Sequence, residues 1–291
     1  ITSLMTQVLG IPFELAVVFV LINNLLYLLH GHFGDPAVGG WITAGIPLYV
    51  TFLMGYPEGD ARIMALIALQ IMVAVIFIGM GLFKGADSLV KKMPMSLKAG
   101  ILIGAGFSAV MTEFSTTGRI WSMPITILVG SLLGFFMLFS RTAAPLRNRY
   151  PGFRYVAQYG IAVPFLIAYV FGIVIGEVSV PEIQWGFVSF SFTEIIQKYS
   201  IFGVGVPPLS FFIDAIPLAI AAYIIAFGDI LVIDSLFKNA DKVRPDEKLI
   251  FSPQRNSIIV GIRNLLHGLF VPMVSLSGPS WTGGQVLVVT R

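Results

Sequence analysis

Apolar residues in this chain come in long runs, and polar residues gather in the short linkers between them. The runs predict nine helices, over about 11–31, 38–54, 62–83, 97–114, 122–140, 155–177, 212–237, 256–272 and an unfinished one from 281. Runs of about 17–25 apolar residues are long enough to cross roughly 30 Å of hydrocarbon. The second and ninth are the shortest, and each follows a cluster of helix breakers. The stretch 178–211 is the one long segment without a spanning pattern. Its Trp185, Phe187, Phe190, Phe192 and Tyr199 suit a piece lying in the outer membrane interface or an ordinary extracellular loop, and both readings stay open.

The breakers are a repeated phrase. Gly34-Asp35-Pro36-Ala37-Val38-Gly39-Gly40 precedes one apolar run, and Gly278-Pro279-Ser280-Trp281-Thr282-Gly283-Gly284 precedes another. The helices before them also match, Ile22-Asn23-Asn24-Leu25-Leu26 against Ile262-Arg263-Asn264-Leu265-Leu266. If every run crosses once, the two copies point in opposite directions. Paired Gly/Pro-interrupted segments of opposite direction are the mark of an inverted-topology repeat, whose broken helices point to a transporter's substrate site.

Composition places these runs in a membrane. Hydrophobic residues make up 56% of the chain and charged residues 11%, with a mean hydropathy of +0.89; a soluble domain carries about 25% charged residues. Thirty glycines and seventeen prolines fit helices that pack closely and break locally. The absence of cysteine rules out disulfides and thiol catalysis. A pI near 9.1 does not signal nucleic acid, because the cations sit in three linkers. These are 84–98 (Lys84, Lys91, Lys92, Lys98), 141–154 (Arg141, Arg147, Arg149, Arg154) and 238–255 (Lys238, Lys242, Arg244, Lys248, Arg255). The opposite linkers hold only Arg62, Arg119 and Lys198, with Glu58, Asp60, Glu113, Glu177, Glu182 and Glu194. That asymmetry makes the basic linkers cytoplasmic in a multi-pass protein of the inner (plasma) membrane. A chain that begins at Ile1 and stops soon after an apolar run has started is expected to be part of a longer protein.

Candidate chemistry is sparse. Helix starts at Val38-Gly39-Gly40 and Thr282-Gly283-Gly284 would present free backbone N–H groups and partial positive charge, with no Cβ to keep a ligand away. Close helix packing is the other use of such glycines. Asp35, Asp229 and Asp234 are the acids nearest the membrane interior, where an ionisable group is a functional candidate. Asp35 can cap its helix or touch a ligand. Asp229 can carry H+ or Na+ as a coupling ion, or pair internally with Arg263; Asp234 is expected to be solvated. Arg263 and His267 share a helix face, opposite a counterpart carrying Asn23, Asn24 and Tyr27. Trp281 and Gln285 could stack on and hydrogen-bond a ligand. His30 and His32 are expected in a short cytoplasmic turn, without the third ligand a metal would need. No phosphate-binding loop, zinc motif or Ser/His/Asp grouping is recognisable, so no enzyme activity is expected.

Ala65 to Gly81, then Ser88-Leu89-Val90-Lys91-Lys92-Met93-Pro94 and Lys98-Ala99-Gly100-Ile101-Leu102, resembles the sulfate permeases and the nucleobase/ascorbate permeases typified by bacterial uracil permease. The tail from Gly268-Leu269-Phe270 through Gln285-Val286-Leu287-Val288-Val289-Thr290-Arg291 is similar to the nucleobase-permease segment entering its tenth helix. The resemblance implies an all-α membrane fold of seven plus seven inverted helices, of which this chain covers about helices two to ten. It implies a core transport domain from 1–83 and 212–291, a gate and dimerisation domain over 84–178, and an extracellular interfacial segment over 179–211. The third and tenth helices would be half-helices preceded by extended strands. The substrate set would be Asp35, Ala37, Val38, Gly39, Gly40, Trp41, Trp281, Thr282, Gly283, Gly284 and Gln285, with Asp229 on the helix that faces the substrate. Two family carboxylates fall on Ile225 and Thr282, which shifts the expected substrate from a nucleobase to a small anion. The expectation is thus an elevator-like secondary transporter of a small anion, coupled to H+ or Na+, lipid-embedded and homodimeric through the gate domain. A heterocycle permease and a non-transporting scaffold or sensor are the alternatives.

Overall fold

The computed structural model describes residues 1–114, 118–153, 159, 162–180, 190–243 and 248–281. The protein is mostly helical with almost no strand. Helix is found within each predicted run up to residue 272, although 155–158 and 160–161 of the sixth run, and the last run from 282 onward, lie outside the described residues. Among those residues three helices are long and apolar enough to cross a membrane: Phe13–His32, Asp60–Leu82 and Leu209–Lys242. The chain forms two compact units, Ile1–Ala105 with Phe187–Gln285, and Gly106–Gly186 with Val286–Arg291.

The first unit is built on the helix Asp60–Leu82, which is apolar on every side and therefore belongs inside. Ala65, Leu66, Ile67, Ala68, Leu69, Val73, Ala74 and Phe77 are all fully buried. It packs along the helix Pro253–Phe270 and against Leu209–Val243. The first of these seams is very close: a Cβ on Gly261 would meet the Ile78 side chain and the Ala74 carbonyl. Small residues at such crossings replace the hydrophobic drive that helices lack in lipid. Pro253–Phe270 is the least apolar of the predicted spans, and its Asn256, Arg263, Asn264 and His267 are all buried.

The predicted run 38–54 is not one helix. It begins as a two-residue strand, Gly40–Trp41, turns through a 3-10 segment Thr43–Gly45, and ends as the helix Ile46–Met54. Nine residues rise only about 14 Å, half of a bilayer core. A helix Thr2–Leu9 precedes the first predicted run and ends on Gly10 in the left-handed conformation, its N–H on the Thr6 carbonyl. Arg62, read from sequence as an outer-linker charge, is buried and donates to the Val8 carbonyl at 2.7 Å. Within 178–211 the chain folds as short helices Phe192–Tyr199 and Ile201–Val204, started by Ser191 and Ser200, whose hydroxyls accept from Glu194 N and Phe202 N. Ile195 and Tyr199 turn inward, and the Tyr199 ring meets Phe19 edge-on. Trp185 and Phe187 lie outside the described residues.

The second unit contains the helices Pro124–Phe139 and Ala162–Val174, packed together. The Glu177 carboxylate caps the first, accepting from Ile125 N at 3.0 Å and Thr126 N at 2.7 Å. Arg119 and Glu113 form an ion pair.

Candidate functional site

The two breaker phrases meet. Gly40–Trp41 pairs antiparallel with Ser277–Gly278, Gly40 opposite Gly278 and Trp41 opposite Ser277. Ile42 N donates to the Leu276 carbonyl at 2.9 Å on one side, and Trp281 N to the Val38 carbonyl at 2.8 Å on the other. Gly40 is required here by sterics: a Cβ would run into the Ser280 carbonyl and Trp281 N. The expected Gly-Gly helix start is therefore corrected for the first copy. Gly40 belongs to the strand, because it pairs with Gly278 in a distant segment of the same chain, and the helical turns begin at Thr43. The sequence match sets Gly40 against Gly284; the ladder sets it against Gly278.

Behind the strands lies a buried polar layer. Arg263 is 0% exposed. Its Nη1 donates to the Gly278 carbonyl at 3.1 Å and faces His30 Nε2 at 3.3 Å; its Nη2 donates to the Gly40 carbonyl at 3.1 Å and Asn23 Oδ1 at 3.3 Å. Its guanidinium stacks over the Tyr27 ring, 4.5 Å from the centroid. Asn264 exchanges two bonds with Ser277, and His267 Nε2 faces Asn23 Oδ1 at 3.1 Å. The helix contacts are reciprocal. Arg263 touches Tyr27 while His267 touches Asn23, and the repeat matches Asn23 with Arg263 and Tyr27 with His267.

The acid of this layer is Asp35. Its carboxylate accepts from Asn256 Nδ2 at 2.7 Å and Ala37 N at 3.3 Å, and lies 2.9 Å from His30 Nδ1. His30 is thus not in a solvated turn. The helix Leu28–His32 continues the first run and turns His30 inward, where it is almost fully buried. Sequence spacing held a signal: Asn23, Tyr27 and His30 follow the i, i+4, i+7 periodicity of one helix face.

In front of the strands is a cavity of about 740 Å³. Backbone of Val38 and Gly40 forms part of its wall, the rings of Tyr27, Trp41 and Trp281 another, and Asn24, Thr43 and Ser280 add polar groups. Asp229 contributes the only charged side chain among the described lining residues. Trp41 Nε1 and Ser280 Oγ are buried without a hydrogen-bond partner among the described residues. Each such group costs about 1–3 kcal/mol unless a ligand or water meets it.

Of the predicted site residues, Val38, Gly40, Trp41, Trp281 and Asp229 line this cavity together. Asp35, Ala37 and Gly39 are buried and do not line it. Asp35 is absorbed by His30, Asn256 and its own turn, and Gly39 is boxed in by Tyr27, Arg263 and His30. Thr282, Gly283, Gly284 and Gln285 lie outside the described residues. Asn24, Tyr27, Thr43 and Ser280 were not among the predicted ligands, although Asn24 and Tyr27 stand on the matched helix. The pairing of Arg263 with Asp229 does not occur: its hydrogen bonds go to Gly40, Gly278, Asn23 and His30. No family model matches the chain, and no curated protein does either.

Proposed function

We propose that the protein is a secondary active transporter whose substrate sits in the cavity against the crossed strands. The observation that carries the reading is the crossing itself: two breaker segments from distant parts of the chain meet as broken backbone beside a cavity lined by aromatic, polar and acidic residues. Irregular backbone at membrane depth is tolerated where it lines such a cavity. The reciprocal contacts of Asn23, Tyr27, Arg263 and His267 support an inverted repeat, since a two-fold axis makes residue i meet j as j meets i. On this reading the fold is the seven-plus-seven arrangement of the uracil-permease type, in the inner membrane, with linkers 84–98, 141–154 and 238–255 cytoplasmic. On it 1–83 and 212–291 form the moving core, and 84–178 the gate through which a homodimer forms.

The lining favours a planar polar heterocycle over the small anion expected from sequence. Three aromatic residues line it, Asn24 and Thr43 bring side chains that can donate, and Asp229 accepts from ring N–H groups. A small anion is the second reading. The amide of Asn24 and the hydroxyl of Thr43 favour it, but Asp229 must then carry a proton, which makes anion uptake proton-coupled. In either case Asp229 is the coupling or recognition carboxylate.

Uptake into proteoliposomes tests both. Wild-type protein should accumulate uracil or xanthine, and Asp229→Asn should cut that uptake by about tenfold or more, the loss of one charged contact. Accumulation of sulfate driven by an inward proton gradient, and no response to bases, would transfer the assignment to the anion. Transport unaltered in Asp229→Asn would remove Asp229 from the site.

A further inference from the structure

We propose that Arg263 is the positioning residue of this site. It locks the crossing of the two strands and so sets the shape of the cavity; the inference rests on the transporter reading above. The fork of the guanidinium is divided between the strands. One terminal nitrogen holds Gly278 and the other holds Gly40, and these two carbonyls belong to residues directly opposite in the ladder. Each nitrogen also reaches one side chain of the first helix run, His30 or Asn23. A planar fork serves all four contacts from two separated nitrogens, whereas a lysine has three donors on a single nitrogen and must give up at least one of them. The face of the same group lies on Tyr27, whose ring is cavity wall. Arg263 therefore touches two lining residues, Gly40 and Tyr27, and through Gly278 the segment that leads to Ser280 and Trp281.

The charge of Arg263 is balanced at one remove. Arginine has only donors, so His30 Nε2 must accept from it, and the ring proton then sits on Nδ1 and points at Asp35. The neutral imidazole joins the cation to the carboxylate. Asn256 ties that carboxylate to the Pro279 carbonyl in turn. The cation, histidine and acid thus hold the crossing from behind, leaving Asp229 as the charge that faces the substrate.

Arg263→Lys keeps the charge and removes the fork. Gln70→Ala is the control, because Gln70 grips the Met273 backbone of the same connecting segment with two bonds yet touches neither strand. In detergent-purified protein, hydrogen exchange should rise in Arg263→Lys at peptides covering 38–42 and 276–281, by about tenfold at Ile42 and Trp281, while the other helices keep their protection. For uracil as probe, the Kd should rise about tenfold with the maximal uptake rate kept within about twofold, a split that simple loss of fold does not produce. Gln70→Ala should lower the melting temperature without either change. Unchanged exchange at the strands, a uniform rise across all helices, or an equal affinity loss in Gln70→Ala would each overturn the positioning role. If wild-type protein binds neither uracil, xanthine nor sulfate, the transporter reading fails, and the exchange pattern still decides whether Arg263 locks the strands.

Discussion

Two helix pairs in this protein meet at glycines, and among the described residues only one of them also buries a set of strongly polar side chains. In the first unit, Asp60–Leu82 lies against Pro253–Phe270, with Gly261 pressed on Ile78 and Ala74. The face that Pro253–Phe270 turns inward carries Asn256, Arg263, Asn264 and His267. In the second unit, Pro124–Phe139 lies against Ala162–Val174, with Gly130 pressed on Ala168. There the buried residues are Thr126, Met137, Pro164, Ala168 and Gly172, with no ionisable group among them, and Leu128, Leu132, Phe165, Leu166 and Val170 point outward. The difference shows what a helix needs in order to be polar in such a chain. Arg263 is tolerated because each terminal nitrogen of its fork meets partners inside the unit, whereas the large outward side chains of the second pair are apolar or aromatic.

Three substitutions probe this contrast. The largest effect is expected from Arg263→Met, which leaves the carbonyls of Gly40 and Gly278 and the acid of Asp35 without their cation. Removing one partner of a buried charged network costs about 3–5 kcal/mol, and a thermal melt in detergent should show it as loss of most of the folded protein. A melting temperature near wild type would mean that the polar layer is not what holds the first unit. Gly40→Val comes next. The added carbons collide with Ser280 and Trp281 backbone, and overpacking of this kind costs about 1–3 kcal/mol. Its signature is separation of the strands, read as faster exchange of the Trp281 amide. The smallest effect belongs to Leu132→Ala in the second unit. Leu132 is 62% exposed, so truncation should move stability by no more than about 0.5 kcal/mol. A large drop on thermal melting would show that this side chain is covered, which would sharpen the account of the second unit as a surface for a partner.

Parts of the site were legible in the chain before any fold was known. The repeated phrase drew attention to 34–41 and 278–281, and five of the predicted residues do share one cavity. Asp229 was legible as well, because a carboxylate inside an apolar run of that length has few reasons to exist. The strand was not legible from residues alone. Gly40–Trp41 is too short to show a strand period, and it is extended only because Ser277–Gly278 supplies its partner. His30 was misplaced for a related reason. Its neighbours Gly31, His32 and Gly34 look like a solvated turn, and only Arg263 and Asp35, brought in by the fold, make the interior a favourable place for it.

What the sequence determined by itself is where most of the described helices lie, that several are strongly apolar and three long enough to cross a membrane, and where the chain breaks around 34–41 and 278–281. Those follow from run length, composition and glycine/proline chemistry, which are local. The tertiary structure alone decided that the two breaks pair with each other, that Arg263 binds them from behind, and that Asp229 faces the cavity in front. The last depends on lining residues drawn from distant parts of the chain, and the first two on residues that meet across more than two hundred positions. Hydrogen-bond partners at that distance leave no periodicity for a sequence to display.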